Sequence, residues 1–126
     1  MIVYTSAIKN RRLRVVIDEI DGAQGPGYMV IGTKGMVTQL AKVALASPPF
    51  HDPAEGVIEL RGPRVDPDCA ATGDAAEAAI YDGAGNVKVS GLTVGAIGTA
   101  ADVVISTIKV VQHQRLEVTS GRIRHG

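Results

Sequence analysis

The stretch Ala78-Ala79-Ile80-Tyr81-Asp82-Gly83-Ala84-Gly85-Asn86-Val87-Lys88-Val89-Ser90-Gly91-Leu92 decides how the rest of the chain is read. A short apolar run enters an Asp/Gly/Asn turn. Apolar Val87, Val89 and Leu92 then interleave with Lys88, Ser90 and Gly91. Alternation with period 2 sends neighbouring side chains to opposite faces of a strand, one toward a core and one toward water. A Gly/Asn turn between two such runs predicts a hairpin. The same grammar returns in Val103-Val104-Ile105 and in Leu116-Glu117-Val118-Thr119-Ser120, before the chain ends Arg122-Ile123-Arg124-His125-Gly126. Residues 75–126 therefore read as an antiparallel β meander. Ile123 has the opposite parity to Leu116 and Val118, so a bulge at Gly121 is expected to return it to the core face.

Composition bounds what can surround this meander. A chain of 126 residues that is 45% hydrophobic suits one domain, residues 1–126, with a core of its own. Aromatics supply only 3%, so that core falls to Val, Ile, Leu and Ala. Fifteen glycines and six prolines favour many short strands over long helices. Thirteen basic residues balance thirteen acidic ones, which removes any global attraction to nucleic acid or to an acidic membrane. Zero net charge also gives little protection from self-association, so an assembly is expected. The single cysteine, Cys69, cannot close an internal disulfide or build a common zinc pattern. No apolar run reaches transmembrane length, and Met1-Ile2-Val3-Tyr4 lacks the basic-then-apolar order of a signal peptide. A soluble protein made in a reducing cytosol is expected.

Residues 5–21 are the best helix candidate, within an N-terminal helical segment 1–22. Leu13, Val16, Ile17 and Ile20 form one apolar stripe, Ser6 could cap the start, and Gly22 stands where a glycine would stop the helix. Its charges run against the helix dipole: Lys9, Arg11, Arg12 and Arg14 crowd the start, and Asp18, Glu19 and Asp21 the end. Packing on the sheet must therefore supply its stability, and Arg14-Val15-Val16-Ile17 could alternatively be a strand. Tyr28-Met29-Val30-Ile31 reads as a core strand. In residues 37–46, Val37, Ala41, Val43 and Leu45 share one face, while Leu40 implies cover on both faces at one end. Ser47-Pro48-Pro49-Phe50-His51-Asp52-Pro53 cannot be a central strand and is read as a surface loop with an exposed aromatic. Residues 56–61 give a short strand, and residues 62–73 a long loop.

Candidate chemistry is thin. His51, His113 and His125 lie far apart in sequence, and a metal site needs clustered ligands. Asp66, Asp68 and Asp74 superficially resemble a calcium loop, but Pro67 interrupts it and Ala71 takes the place of the required glycine. Gly83-Ala84-Gly85 with Lys88 lacks the spacing and context of a phosphate loop. Cys69 has no basic neighbour in its loop to activate it. Glu55 and Glu59, at strand spacing, would share a solvated face. The basic run Lys9-Arg11-Arg12-Arg14 could hold phosphate or an acidic protein surface, or be a solvated helix face; Arg122 and Arg124 could do the same at a strand edge. Exposed edges invite strand addition. No catalytic, cofactor-binding or metal-ligating residue is assigned.

A family resemblance adds what these residues alone do not. The passage from Ile80 through Asp82, Gly85, Gly91, Val94 and Gly95, the following Gly98-Thr99-Ala100-Ala101-Asp102-Val103-Val104-Ile105, and the closing Leu116-Glu117-Val118-Thr119-Ser120 with terminal His125-Gly126, together resemble small virion-associated proteins of tailed bacteriophages and prophages. The likeness covers about the last fifty residues. Pro48-Pro49-Phe50-His51-Asp52-Pro53 and the terminal arginines depart from it. It implies a non-enzymatic structural protein of the virion, assembled in the bacterial cytoplasm. The expected fold is mainly β, an antiparallel β-sandwich or jelly-roll-like domain with one N-terminal α-helix. The expected role is a capsid decoration or cement subunit on the major capsid protein lattice, forming homo-oligomers and binding neither nucleic acid nor membrane. A tail or neck component is the alternative, and a small carbohydrate-binding β-sandwich a weaker one. Loops 47–53 and 62–73 are the expected contact surfaces.

Overall fold

A computed structural model describes residues 2–22 and 26–124. His125 and Gly126, including the third histidine and the terminal His-Gly, lie outside the described residues. The protein is mainly β with one helix near its N-terminus. Helix α1 (Ser6–Ile20) precedes ten strands: β1 (Tyr28–Gly32), β2 (Gln39–Ala44), β3 (Val57–Glu59), β4 (Arg64–Asp66), β5 (Gly73–Asp74), β6 (Glu77–Tyr81), β7 (Val87–Ala96), β8 (Val103–Ile105), β9 (Lys109–Val110) and β10 (Leu116–Arg124).

Eight strands make one curled sheet, in the order β2-β1-β6-β7-β8-β10-β3, with β4 also on β10. Strands β5 and β9 pair separately. Strand β10 holds the arrangement together. Its first half pairs with β4, its last residues with β3, and its middle with β8 on the other side. The sheet curls until its ends meet, so that β4 lies beside β2. There Lys42 N–H donates to Asp66 Oδ2 at 2.8 Å, Arg64 Nε donates to the Ala44 carbonyl at 2.8 Å, and Ala70 N–H donates to the Leu40 carbonyl at 2.8 Å. The two facing halves enclose one core of Met29, Ile31, Leu40, Val43, Ile58, Ile80, Ile105, Leu116 and Val118. Branched aliphatics dominate it, as the scarcity of aromatics requires.

The helix closes this core from outside the sheet. Thr5, one residue before the expected Ser6, is the N-cap, its Oγ1 accepting the Ile8 N–H at 3.3 Å. Leu13, Ile17 and Ile20 are buried, and Val16 packs beside them. Asn10 Oδ1 accepts the Gly56 N–H at 2.9 Å, which ties the helix to the turn before β3. The charge order against the dipole is real: the first turn carries no acidic residue and the last turn no basic one.

Several expectations shift. The C-terminal third is not a plain meander, because β8 joins β7 in parallel, with Val94 opposite Val103. Residues 97–102 make that return, held by reciprocal bonds from Thr93 N–H to Asp102 Oδ2 and from Asp102 N–H to Thr93 Oγ1, at 3.1 and 2.9 Å. The β10 bulge falls between Val118 and Ser120, not at Gly121, and it does leave Ile123 packed against the core. Phe50 is buried, bridged to Leu60, and not an exposed aromatic. Only apolar content in a proline-rich segment could have signalled this. Val37 is exposed, because β2 starts at Gln39. Leu40 and Ala41 are both buried, so that end of β2 is covered on both faces as expected. The long loop 62–73 contains β4, which is too short for periodicity to reveal.

Candidate functional site

The structure places the sequence candidates on separate errands. Asp66 is buried, and its two oxygens accept the backbone N–H groups of Lys42 and Asp68. Asp68 meets His113 Nδ1 at 2.7 Å, in an exposed pair. Asp74 belongs to β5. Among the described residues no group of three or more His, Cys, Asp or Glu side chains is placed to hold a metal ion.

Cys69 is buried between these groups. Its N–H donates to the Gln114 carbonyl, and its carbonyl accepts the His113 N–H, so residues 66–72 are laced to the turn 111–114. Burial pushes the thiol pKa up, and the negative charges of Asp66 and Asp68 push it further. A raised pKa and a buried sulfur oppose nucleophilic use. Cys69 is accordingly expected to resist a thiol-reactive chromogenic disulfide in the native protein and to react fully once unfolded in urea. Rapid labelling of the folded chain would contradict this packing.

The Gly83–Gly85 turn consumes its own donors. Asp82 Oδ1 accepts the N–H groups of Ala84 at 3.0 Å and Asn86 at 2.9 Å, so these amides do not face a phosphate. Those bonds, the Asn86 amide first, hold the Asp82 carboxyl below its ordinary value of 3.8, with help from Lys88 at 3.7 Å. A depressed folded pKa contributes stability that is present above the unfolded value and lost as pH falls through the folded one. Asp82→Asn is expected to flatten this part of the acid limb of the unfolding profile below about pH 4. Parallel profiles for variant and wild type would show that the turn does not depend on the carboxylate.

Several other charges are similarly engaged. Arg14 pairs with Asp52 at 2.9 Å, Lys9 packs beside Gly56, and the Arg12 guanidinium lies over Tyr4 at 4.1 Å. Glu55 is not on a strand; it takes φ 51° beside Gly56 at φ 75°, forming the turn into β3. Glu59 faces Arg122 at 3.5 Å. Arg122 and Arg124 line an open cleft of about 290 Å³ with Asp102 and Ser120. Tyr28 and Tyr81 stack on each other at 5.0 Å, with the Lys42 ammonium over the Tyr28 ring, so these aromatic faces are partly occupied within the fold.

Two expected contact loops do come together. His51, from loop 47–53, lines one cleft of about 370 Å³ with Arg61, Gly62, Pro63 and Arg64. It also lines a neighbouring cleft of about 210 Å³ with Asp52, Val57 and Glu59. Hydrogen bonds hold the loops in place. Ser47 Oγ donates to both Asp21 carboxylate oxygens, Arg61 N–H to the Pro49 carbonyl, and His51 N–H to the Glu59 carbonyl. These last bonds also cover the outer edge of β3. With β2 sealed by β4, the two outer strands of the curled sheet are capped, and the anticipated strand addition loses those sites. The residue that sequence reasoning missed is Asp66, whose position one residue before Pro67 read only as part of an acidic loop.

Comparison of the chain with protein-family models, curated proteins and solved structures finds no match.

Proposed function

We propose that this chain is a non-enzymatic structural subunit of a phage particle, a decoration or cement protein seated on the major capsid protein lattice. The observation that carries the reading is the hydrogen-bonded loop face around His51, where 47–53 and 62–64 converge beside capped sheet ends. The phage-like hairpin and return from Ile80 to Ile105 supports it. The chemistry-bearing side chains of the chain serve its turns and seam: Asp66 closes the sheet, Asp82 builds a hairpin, and Asp68 with His113 laces a loop. A cement subunit binds across joints of an assembled shell and stabilises that state by mass action, without a chemical step. A pre-ordered face binds with less entropy loss than a mobile one.

The test uses particles made without this chain. They should lose infectivity or rupture at lower temperature than complete particles, and added purified chain should restore the difference. Double substitution His51→Ala/Arg61→Ala, on the face, should abolish restoration. Equal heat resistance with and without the chain would remove the cement role.

A further inference from the structure

We infer that the cleft between segment 44–48 and the turn 61–64 binds an acidic peptide segment of a partner protein, taking its carboxylates on the guanidinium groups of Arg61 and Arg64. The inference rests on the loop-face reading above for the identity of the partner, a shell subunit; the chemistry of the site rests on its own residues. Both arginines are half-buried. Each is fixed by one bond to the same short stretch of chain. Arg64 Nε donates to the Ala44 carbonyl at 2.8 Å, and Arg61 Nη1 donates to the Pro48 carbonyl at 3.2 Å. Ala46, midway between those carbonyls, lines the cleft of about 370 Å³ together with His51, Pro63 and the two arginines. The Arg64 stem folds back on its own turn, since a Cβ at Gly62 would stand 3.4 Å from Arg64 Cγ. The two guanidinium groups thus converge on one cleft, Arg61 from just beyond β3 and Arg64 from the start of β4.

Charge complementarity names the occupant. Among the described residues no ion pair includes Arg61 or Arg64, and no acidic side chain lines their cleft. The carboxylates on adjoining elements are committed elsewhere. Asp52 pairs with Arg14 and Glu59 with Arg122, Asp21 accepts from the Ser47 hydroxyl, and Asp66 accepts the Lys42 and Asp68 amides. The single carbonyl bond of each arginine leaves most of its N–H donors for a ligand, in the planar fork that fits a carboxylate with two parallel bonds. A half-buried charge without a counter-ion gains most from such a partner. The spacing suits a peptide. Ala44 and Pro48, which anchor the two guanidinium groups, are four residues apart, at most about 14 Å along the chain. Alternate side chains of an extended peptide project from one face about 7 Å apart, so two acidic residues at alternate positions fall within that span. Ala46 and Pro63 then offer apolar contact to the stretch that joins them.

The test is isothermal titration of the full chain, in low salt, with a blocked peptide of sequence Gly-Glu-Ser-Glu-Gly. It should bind with a dissociation constant of about 0.1–1 mM, and about 0.5 M salt should weaken it severalfold. The same peptide with glutamine for both glutamates should not bind. Arg61→Gln with Arg64→Gln should weaken binding about tenfold or more. Arg61→Gln alone leaves the Arg64 bond to β2 intact and should still weaken it about threefold, which keeps the test valid if the double variant unfolds. Lys34→Gln with Lys109→Gln removes the same charge from exposed positions at the far end of the sheet and should leave binding unchanged. Inorganic phosphate as titrant separates a free anion from a peptide-borne one: it should bind more weakly than the acidic peptide. No binding of the acidic peptide, equal loss in the lysine variant, or phosphate binding tighter than the peptide would each overturn the inference. Such a failure leaves the particle test of the cement role untouched, and a failure of that test leaves this titration untouched, so the two fall separately.

Discussion

Asp66→Ala is expected to lower the unfolding free energy by about 3 kcal/mol. The carboxylate is buried where the sheet closes on itself, and it accepts two backbone N–H groups, from Lys42 in β2 and Asp68 in the following turn. Alanine leaves both donors without that acceptor in a place where water is largely excluded. Such a loss costs more than the bond's ordinary net contribution. Asp66→Asn keeps one acceptor oxygen and should cost about half as much. Urea unfolding of the three proteins reads both numbers. The variant should also exchange the Lys42 amide faster, since that amide reports the β2–β4 seam directly. A loss under about 1 kcal/mol for the alanine variant would mean that other contacts close the sheet.

Gly27→Ala should be comparably damaging, at about 3 kcal/mol, by overpacking. A Cβ built on Gly27 would run into the Tyr81 carbonyl and would stand 2.7 Å from Ile20 Cγ2. Neither neighbour gives way easily. The carbonyl belongs to β6, and Ile20 is fully buried at the end of α1. The helix thus reaches the sheet only because position 27 lacks a side chain. Ile20→Ala alone should also cost about 3 kcal/mol, through the cavity it leaves. Combined, the two should cost less than their sum by about 1 kcal/mol, because the truncated side chain relieves one clash while the carbonyl clash persists. Strict additivity in thermal or urea unfolding would contradict this contact.

How far the sequence disclosed this molecule depended on the range of the interactions involved. The Leu13, Ile17 and Ile20 stripe and the hairpin around Asp82 are local patterns, and both stand where the residues place them. The parallel pairing of β7 with β8 is a matter of where the chain returns, and alternation is blind to strand direction. Strand β4 has three residues and no period to detect, so Asp66 read as a solvated loop residue instead of the seam it closes. Phe50 was hidden by its prolines: the rule that prolines leave a sheet interior is sound, yet the side chain between them still turns inward. The loop face around His51 was named only as two separate loops. Their meeting depends on β3 and β4 both lying along β10, which is a tertiary fact.

The same dependence explains why the site candidates dispersed. Aspartates 66, 68 and 74 are near one another in sequence and could suggest a ligand set. In the fold Asp66 accepts from a strand, Asp68 meets a histidine, and Asp74 lies in a second small sheet. The glycine-rich turn similarly keeps its amides for Asp82. The phage-like reading therefore rests on strand and turn signatures and on a loop face held by hydrogen bonds.

The most direct measurement of that reading is quantitative mass spectrometry of density-purified particles from the source of this chain, counting it against the major shell protein. The account predicts a copy number comparable to that of the shell protein. A handful of copies would move the chain to the neck or tail, and its complete absence from particles would contradict the structural role.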